Sequence, residues 1–424
     1  MKKRTTQLPL YVKILIGMVL GLFLSFLAVS FKFESFVIDW IKPLGVIFMR
    51  LLKFIAIPLV FISLVKGVVN LSNIRALSSI GVRTLFIYIC TTVAAILLGM
   101  GLVKGLAPGE LISDDSAQQL RAQYSESGVI EINTELQDAG PLQMLVDIFP
   151  ENMMQALSSN NSMLQVIFIA LLFGVGLLLI DKDKLKPVYD LVDSLDVLLL
   201  KIVDLIMLFA PYGVFGLLST IMIDTSGNMA ILGALGFYAV VVILGLLLLS
   251  FVFYPILIRL FSDTPVRFFL KSVIPVQLLA FSTSSSAATL PLTMDVAVKR
   301  LRISEKIASF VLPVGVTINM DGTSCYQIIA TIFMAQVLNI PLSPGDLVLL
   351  VGLTTLASIG TPGVPGASIV VQVMVLTAVG IPAEGLALIL GIDRPLDMMR
   401  TVVNVTGDIT VATIVDHHEN KKVL

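Results

Sequence analysis

The sequence predicts an all-α polytopic membrane protein, with eight transmembrane helices and two re-entrant helical hairpins arranged as inverted repeats. Three observations carry that expectation. Of 424 residues, 57% are hydrophobic and 13% charged, with a mean hydropathy of +0.98, whereas a soluble domain carries about 25% charged residues. Apolar stretches recur over 10–31, 36–70, 79–105, 163–180, 188–222 and 229–258, most of them as long as the ~20 residues that cross a bilayer. Two later segments, 272–294 and 346–379, are interrupted at membrane depth by Ser-, Gly- and Pro-rich runs.

The first stretch follows MKKR and superficially resembles a signal peptide. Its apolar run is longer than a typical h-region and further spans follow, so it is expected to stay as the first helix. The second contains Lys42, Arg50, Lys53 and Lys66, and the fifth contains Asp190, Asp193, Asp196, Lys201 and Asp204. Charges spread in this way suit helix interfaces or snorkelling side chains better than ligands. Residues 109–140 hold seven acidic residues and a single base, Arg121, which is the composition of an external loop.

Basic residues orient the chain. They cluster at Lys2–Arg4, Arg75 and Arg83, Lys182–Lys186, Arg259–Lys271, Lys299–Lys306 and Lys421–Lys422; apart from Arg121 they are missing from 109–140, 223–228, 339–345 and 380–384. With both termini in the cytoplasm, 272–294 and 346–379 must each enter and leave on one side. The first hairpin then opens inward and the second outward. FSTSSSAATLP (281–291) and ASIGTPGVPGAS (357–368) are the interruptions; backbone freed there is tolerated only when buried in protein or lining a cavity. A long helix follows each hairpin: 307–338, with NMDGT at 319–323, and 385–416. Two hairpin-plus-helix units of opposite orientation place a substrate and ion site where they meet.

The helix 385–416 carries the chemistry. Asp397, Arg400, Asn404 and Asp408 recur at steps of three, four and four, so they share one helix face, with Asp393 and Thr401 at its edges. A charge at the bilayer centre costs about 2.5–3.5 kcal/mol on insertion scales, so several in one span point to function, although a buried Asp–Arg pair can also simply join helices. Cys90 and Cys325 lie in apolar surroundings as small core residues. His417 and His418 fall in the polar C-terminal tail, which leaves the membrane without a histidine for a nucleophile or zinc. An aspartyl dyad is disfavoured because Arg400 on the same face would hold both carboxylates ionised. An oxygen-lined cation pore is the distant alternative, opposed by the same arginine. The near-zero net charge of −1 argues against a nucleic-acid partner. The NVT sequon at 404–406 lies within the membrane.

STSSSAATLP (282–291), GVTINMDGT (315–323), SIGTPGVPGA (358–367) and LDMMRTVVNVTGD (396–408) together resemble the dicarboxylate/amino acid:cation symporter family. The likeness covers nearly the whole chain. It implies a homotrimer in the inner (plasma) membrane, no enzyme activity, and elevator-type alternating access. Residues 1–75 and 141–224 would form a trimerisation scaffold. A mobile transport domain would comprise 76–108 and 225–424, with 109–140 as the external loop.

The resemblance also assigns roles. Arg400 would pair with the substrate's side-chain carboxylate, a bidentate contact lysine does not reproduce, and Asp397 would accept its ammonium. Asn404 and Ser286 would hold the α-carboxylate, with Thr323 near the side-chain end. Met320, Gly366 and Thr401 complete the lining, and Ser284, Ser285 and Val364 offer backbone groups at the hairpin tips. For sodium, three oxygen sets match: Gly315, Asn319 and Asn404 carbonyls with Asp408; the backbone oxygens of Thr317, Ser358, Ile359 and Thr361; and Tyr88, Thr91, Thr92, Asn319 and Asp321. The expected cargo is aspartate or glutamate, since a neutral amino acid has no use for Arg400 and an amine-free dicarboxylate none for Asp397. A proton-coupled, neutral amino acid or C4-dicarboxylate symporter of the same fold is the alternative. Proton-carrying members place a glutamate at the position of Gln327, which cannot titrate. The family's second arginine is replaced by Ser284 or Met398, and Ala287, Pro362 and Ser368 also depart from its pattern. Asp397 thus lacks the family's usual basic neighbour; Arg394 is the candidate substitute, although it lies about 60° round the helix from Asp397 and one turn away.

Overall fold

The computed structural model describes residues 10–76, 79–112, 146, 148–159, 162–180, 182–220, 223, 230–361, 363 and 366–420. Among these residues no strand occurs. Six helical stretches are long and apolar enough to cross a membrane: Val12–Phe31, Glu34–Val69, Ile80–Leu111, Lys184–Leu218, Ala230–Phe261 and Val266–Thr283. The protein is therefore an all-α polytopic membrane protein. Most of the 109–140 loop and the residue Val364 lie outside the described residues.

In chain order the helices are α1 (Leu10–Phe31), α2 (Lys42–Ala76), α3 (Ser79–Leu106), α4 (Met163–Leu179), α5 (Lys182–Leu218) and α6 (Ala230–Leu248). A π-turn at Leu249–Phe253 carries α6 into a last leg, Tyr254–Phe261. α2 packs along α5 and α4, and α1 packs along α5. The side chains these helices turn outward are apolar: Val19, Leu20 and Phe23 on α1, and Leu198, Leu205 and Leu208 on α5 are exposed. In water such a surface would be costly, but against lipid it is the expected one. Lys66 on α2 is half-buried and reaches Asp196 at 2.6 Å and Asp193 at 3.2 Å on α5. The charges on these two helices thus include an interhelical ion pair.

α7 (Val266–Thr283) and α8 (Ser286–Lys299) form a helical hairpin. Two consecutive serines make the reversal. Ser284 closes α7 in the left-handed region, at φ 51°, and Ser285 caps α8, its Oγ accepting from the Ala288 amide at 3.2 Å. A second hairpin joins α11 (Pro344–Gly360) to α12 (Ala367–Ala378). Ser343 and Asp346 start α11 with a reciprocal capping box. Gly366 precedes α12 at φ 81°, a conformation open to glycine at no steric cost.

Between the hairpins the expected single helix over 307–338 is two. α9 (Glu305–Ile318) and α10 (Asp321–Val337) are separated by Asn319 and Met320, whose backbones are non-helical. Ser358 of α11 makes the break tolerable. Its Oγ donates to the Ile318 carbonyl and accepts from the Met320 amide, both at 3.1 Å. A backbone break at membrane depth needs such partners, and they come from a residue forty positions away, which no local pattern reveals.

Every residue of α10 except Gln336 is buried, and so are residues 367–376 of α12. α10 is the axis around which α3, α6 and α13 (Leu386–Asn420) pack, while α13 also lies against α7 and α9. α13 is helical through His417 and His418, so the histidines close the helix and do not lie in a tail. There His418 Nδ1 lies 2.9 Å from the Ile414 carbonyl oxygen, Glu419 pairs with Arg83 at 2.9 Å, and Asp416 accepts from the Ser304 amide and hydroxyl. α2 is the helix of the first group that meets both arms of the second hairpin.

Candidate functional site

The site forms where the break between α9 and α10, the face of α13 and the two hairpin tips converge. Arg400 lies at its centre with a side chain 1% exposed. Nη1 donates to Asp393 Oδ1 at 2.8 Å, and Nη2 donates to Asp397 Oδ1 at 2.9 Å and to Ser368 Oγ at 3.1 Å. Its guanidinium carbon stands 3.8 Å above the centre of the Tyr326 ring, a favourable position for a cation. Nε is buried and makes no hydrogen bond. The helix spacing explains the cluster, because Asp393, Asp397 and Arg400 fall within two turns on one side of α13.

Arg394, the candidate substitute for the second arginine, reaches Asp397: Nη1 lies 2.9 Å from Oδ2. An angular offset of ~60° is small beside the reach of an arginine side chain, which bends back along an i,i+3 pair. Asp397 therefore has two cationic neighbours on its own helix.

Asn404, one turn beyond Arg400, accepts from the Gly322 amide at 2.9 Å. Its Nδ2 is 3.2 Å from Thr323 Oγ1 and 3.3 Å from Met320 Sδ. Asn404, Thr323 and Met320 are thus joined at the helix break. Thr401 bonds the Asp397 carbonyl at 2.9 Å, within its own helix. At the hairpin tips the Gly363 carbonyl oxygen accepts from Ser285 Oγ at 2.9 Å and the Ala287 amide at 3.4 Å. Ser284, Ser285, Ser286 and Gly366 are buried, and Ser284 Oγ has no partner.

Around Asp408 and Asp321, several residues of two of the oxygen sets are neighbours. Asp408 Oδ1 accepts from Asn319 Nδ2 at 2.9 Å, and a Cβ on Gly315 would strike this carboxylate and stand 2.6 Å from the Tyr88 hydroxyl. Only glycine lets α13 approach α9 so closely. Asp321, the first residue of α10, accepts from Thr92 at 2.8 Å, Tyr254 at 2.9 Å and Thr91 at 3.4 Å. Thr91 also lies 3.3 Å from Asn319 Oδ1, and Tyr88 donates to the Val311 carbonyl at 3.0 Å. Both carboxylates are buried among hydroxyl, amide and carbonyl groups, the environment that suits a hard monovalent cation. Among the described residues no three His, Cys, Asp or Glu side chains cluster as a transition-metal site would require.

The remaining set is one of backbone oxygens. Ser358 braces the helix break through its hydroxyl, and the Thr361 and Thr317 hydroxyls bond the Ala357 and Val314 carbonyls of their own helices, so the side chains of this set are engaged within the protein. The Ile359 carbonyl faces Gly67 of α2, where a Cβ would stand 3.1 Å away.

Sequence reasoning missed Tyr326, Ser368 and Tyr254. Tyr326 follows Thr323 by three positions and so lies on the same face of α10, which is a usable signal. Ser368 and Tyr254 come from distant helices and have none.

Buried ionic and oxygen-rich groups on broken helices between two hairpins, in a chain with six bilayer-length helices, define a membrane transport protein. Comparison with known proteins is specific about which class. The sodium:dicarboxylate symporter family matches over residues 10–418, and the chain belongs to that family. It is 33% identical over 411 residues to the proton/sodium-glutamate symport protein of Bacillus caldotenax, covering 96% of this chain and 94% of that one. It is 33% identical to excitatory amino acid transporter 3 of Oryctolagus cuniculus, covering 89% and 79%. The proton/glutamate-aspartate symporter of Escherichia coli (strain K12) is 32% identical, with 96% and 92% covered.

Proposed function

We propose that the protein is a sodium-driven symporter of aspartate or glutamate. One observation carries the proposal: Arg400 and Asp397 are buried side by side, 2.9 Å apart, so one site offers a guanidinium to a carboxylate and a carboxylate to an ammonium. Asn404, Thr323, Met320, Thr401 and the hairpin tips, with Ser284, Ser285, Ser286, Val364 and Gly366, would enclose the rest of the substrate. Sodium is cargo here. The sets around Asp408 and Asp321 are where it would be held, and the backbone oxygens of Thr317, Ser358, Ile359 and Thr361 would form a third site.

The same proposal divides the chain. Helices α1, α2, α4 and α5 would be a scaffold that trimerises in the inner (plasma) membrane with both termini cytoplasmic. α3, α6, α9, α10, α13 and the two hairpins would move through it as an elevator. Eight spans and two re-entrant hairpins fit this division. The apolar exposed faces of α1 and α5 support a membrane-embedded scaffold.

Uptake into proteoliposomes under separately imposed sodium and proton gradients tests the proposal. Concentrative uptake of labelled aspartate or glutamate is expected with inward sodium at equal pH on both sides. The relatives' names include proton coupling, whereas buried Gln327 has no proton to carry. Uptake that persists without sodium under an inward proton gradient would refute sodium coupling.

A second prediction concerns the hairpin α11–α12. Its tip around 360–366 is proposed as the extracellular lid, and Gly366 supplies freedom at the hinge. Cysteines placed at Gly363 and Ala287, where the Ala287 amide meets the Gly363 carbonyl at 3.4 Å, in a background lacking the exposed Cys90, are expected to stop uptake once crosslinked and to restore it on reduction. Full uptake in the crosslinked form would exclude the lid.

A further inference from the structure

Arg394 is a charged residue that the site described so far does not use. It sits in a crevice between α13 and the helices α1, α2 and α5, lined by Ile14, Phe48, Met207 and Gly366 beside Asp393 and Asp397. Its side chain is 12% exposed, its Nη1 holds Asp397 Oδ2 at 2.9 Å, and its Nε is buried without a partner. A guanidinium in such a crevice is costly to bury. Arg400 donates to the other Asp397 oxygen at 2.9 Å but also pairs with Asp393 at 2.8 Å, so its single charge is shared between two carboxylates.

The donors of Arg400 resolve why a second cation is present. Both Nη atoms are engaged by Asp393, Asp397 and Ser368, and Nε alone is free. Arg400 can grasp a substrate carboxylate with its fork only by giving up some of these contacts. At that moment Asp397 loses a partner, and a loose carboxylate would turn toward any cation in reach.

We propose that Arg394 is a positioning residue for Asp397, holding its Oδ2 so that the remaining lone pairs stay aimed at the substrate ammonium while Arg400 engages the side-chain carboxylate. This rests on the assignment of an acidic amino acid as cargo. Arg394 touches no part of the substrate. Its effect is on the affinity for the amine end, and the rate of the domain movement is left alone.

The test is aspartate uptake by the full chain in proteoliposomes, comparing wild type with Arg394→Met, which keeps an apolar stem in the crevice, and Arg394→Lys, which keeps the charge. Arg394→Met is expected to raise KM by about tenfold, as for the loss of one charge-assisted hydrogen bond, with Vmax within about twofold. Arg394→Lys is expected to stay within about threefold of wild type in KM, because an ammonium still reaches Oδ2. An unchanged KM in Arg394→Met, or a fall in Vmax alone, overturns the inference. If Arg394→Met does not accumulate in the membrane, Arg394→Gln is read on the same criteria. Failure of both to fold assigns Arg394 a purely structural role and also overturns the inference. Wild-type vesicles separate this result from the parent assignment: no aspartate uptake there sinks the acidic amino acid itself.

Discussion

Replacing Arg400 by cysteine is expected to abolish uptake of aspartate and glutamate while sparing or creating uptake of serine, alanine or cysteine. The side chain is almost wholly buried, pairs with two carboxylates, and lies over the Tyr326 ring. Its removal leaves Asp393 without its cation, while Asp397 keeps Arg394. A substrate carboxylate would then enter a buried site that already holds unbalanced acids. Stranding one partner of a buried pair costs about 3–5 kcal/mol, which is roughly a hundredfold to several thousandfold in affinity. Arg400→Lys is expected to fail as well, because an ammonium cannot present the planar fork. Competition of unlabelled amino acids against labelled aspartate and labelled serine decides it. Unchanged acidic uptake by Arg400→Cys would remove the carboxylate role from this residue.

The second large effect is on coupling. The buried site holds four carboxylates, Asp321, Asp393, Asp397 and Asp408, against two guanidiniums, Arg394 and Arg400. That leaves two negative charges, and an acidic substrate adds a third. A compact domain cannot carry such an excess through a low-dielectric layer at tolerable cost, so about three monovalent cations are needed to balance it. Uptake is then electrogenic, since three sodium ions with one monovalent anion move net positive charge inward. Asp408→Asn removes one of these charges while keeping a side chain that can meet Asn319. It is expected to raise half-saturating sodium by about tenfold or more, the worth of at least one lost charge contact, and to lower the number of ions moved per substrate. Reversal-potential measurements at varied sodium check both. An Asp408→Asn protein with unaltered sodium dependence would place the ions elsewhere.

Much of this was legible in the sequence because membrane burial makes every charge informative. The 3-4-4 spacing of Asp397, Arg400, Asn404 and Asp408 is a helix face before any coordinates exist, and they lie on one helix in the structure. FSTSSSAATLP and ASIGTPGVPGAS announce interruptions, since serine, glycine and proline runs at that depth demand special backbone. What stayed hidden depends on contacts between distant segments. The break at Asn319–Met320 is stabilised by Ser358, and helix propensity alone runs straight through it. Angular position alone understates the reach of Arg394, because it describes Cβ direction, whereas a long flexible side chain sweeps over neighbouring sectors.

The Gly363 carbonyl oxygen is a shared keystone. It receives Ser285 and Ala287 from the opposing hairpin, so withdrawal of either tip breaks the same two bonds. If the proposed lid and the opposing hairpin both open, they share one bolt, as in a double door. The bonding cost of drawing that bolt is common to both faces, so it cannot by itself decide which side opens. Direction has to come from what occupies the chamber and from the ion concentrations outside it. A vectorial machine with such a latch is therefore reversible: invert the gradients, and the same two bonds break in a cycle that runs backwards.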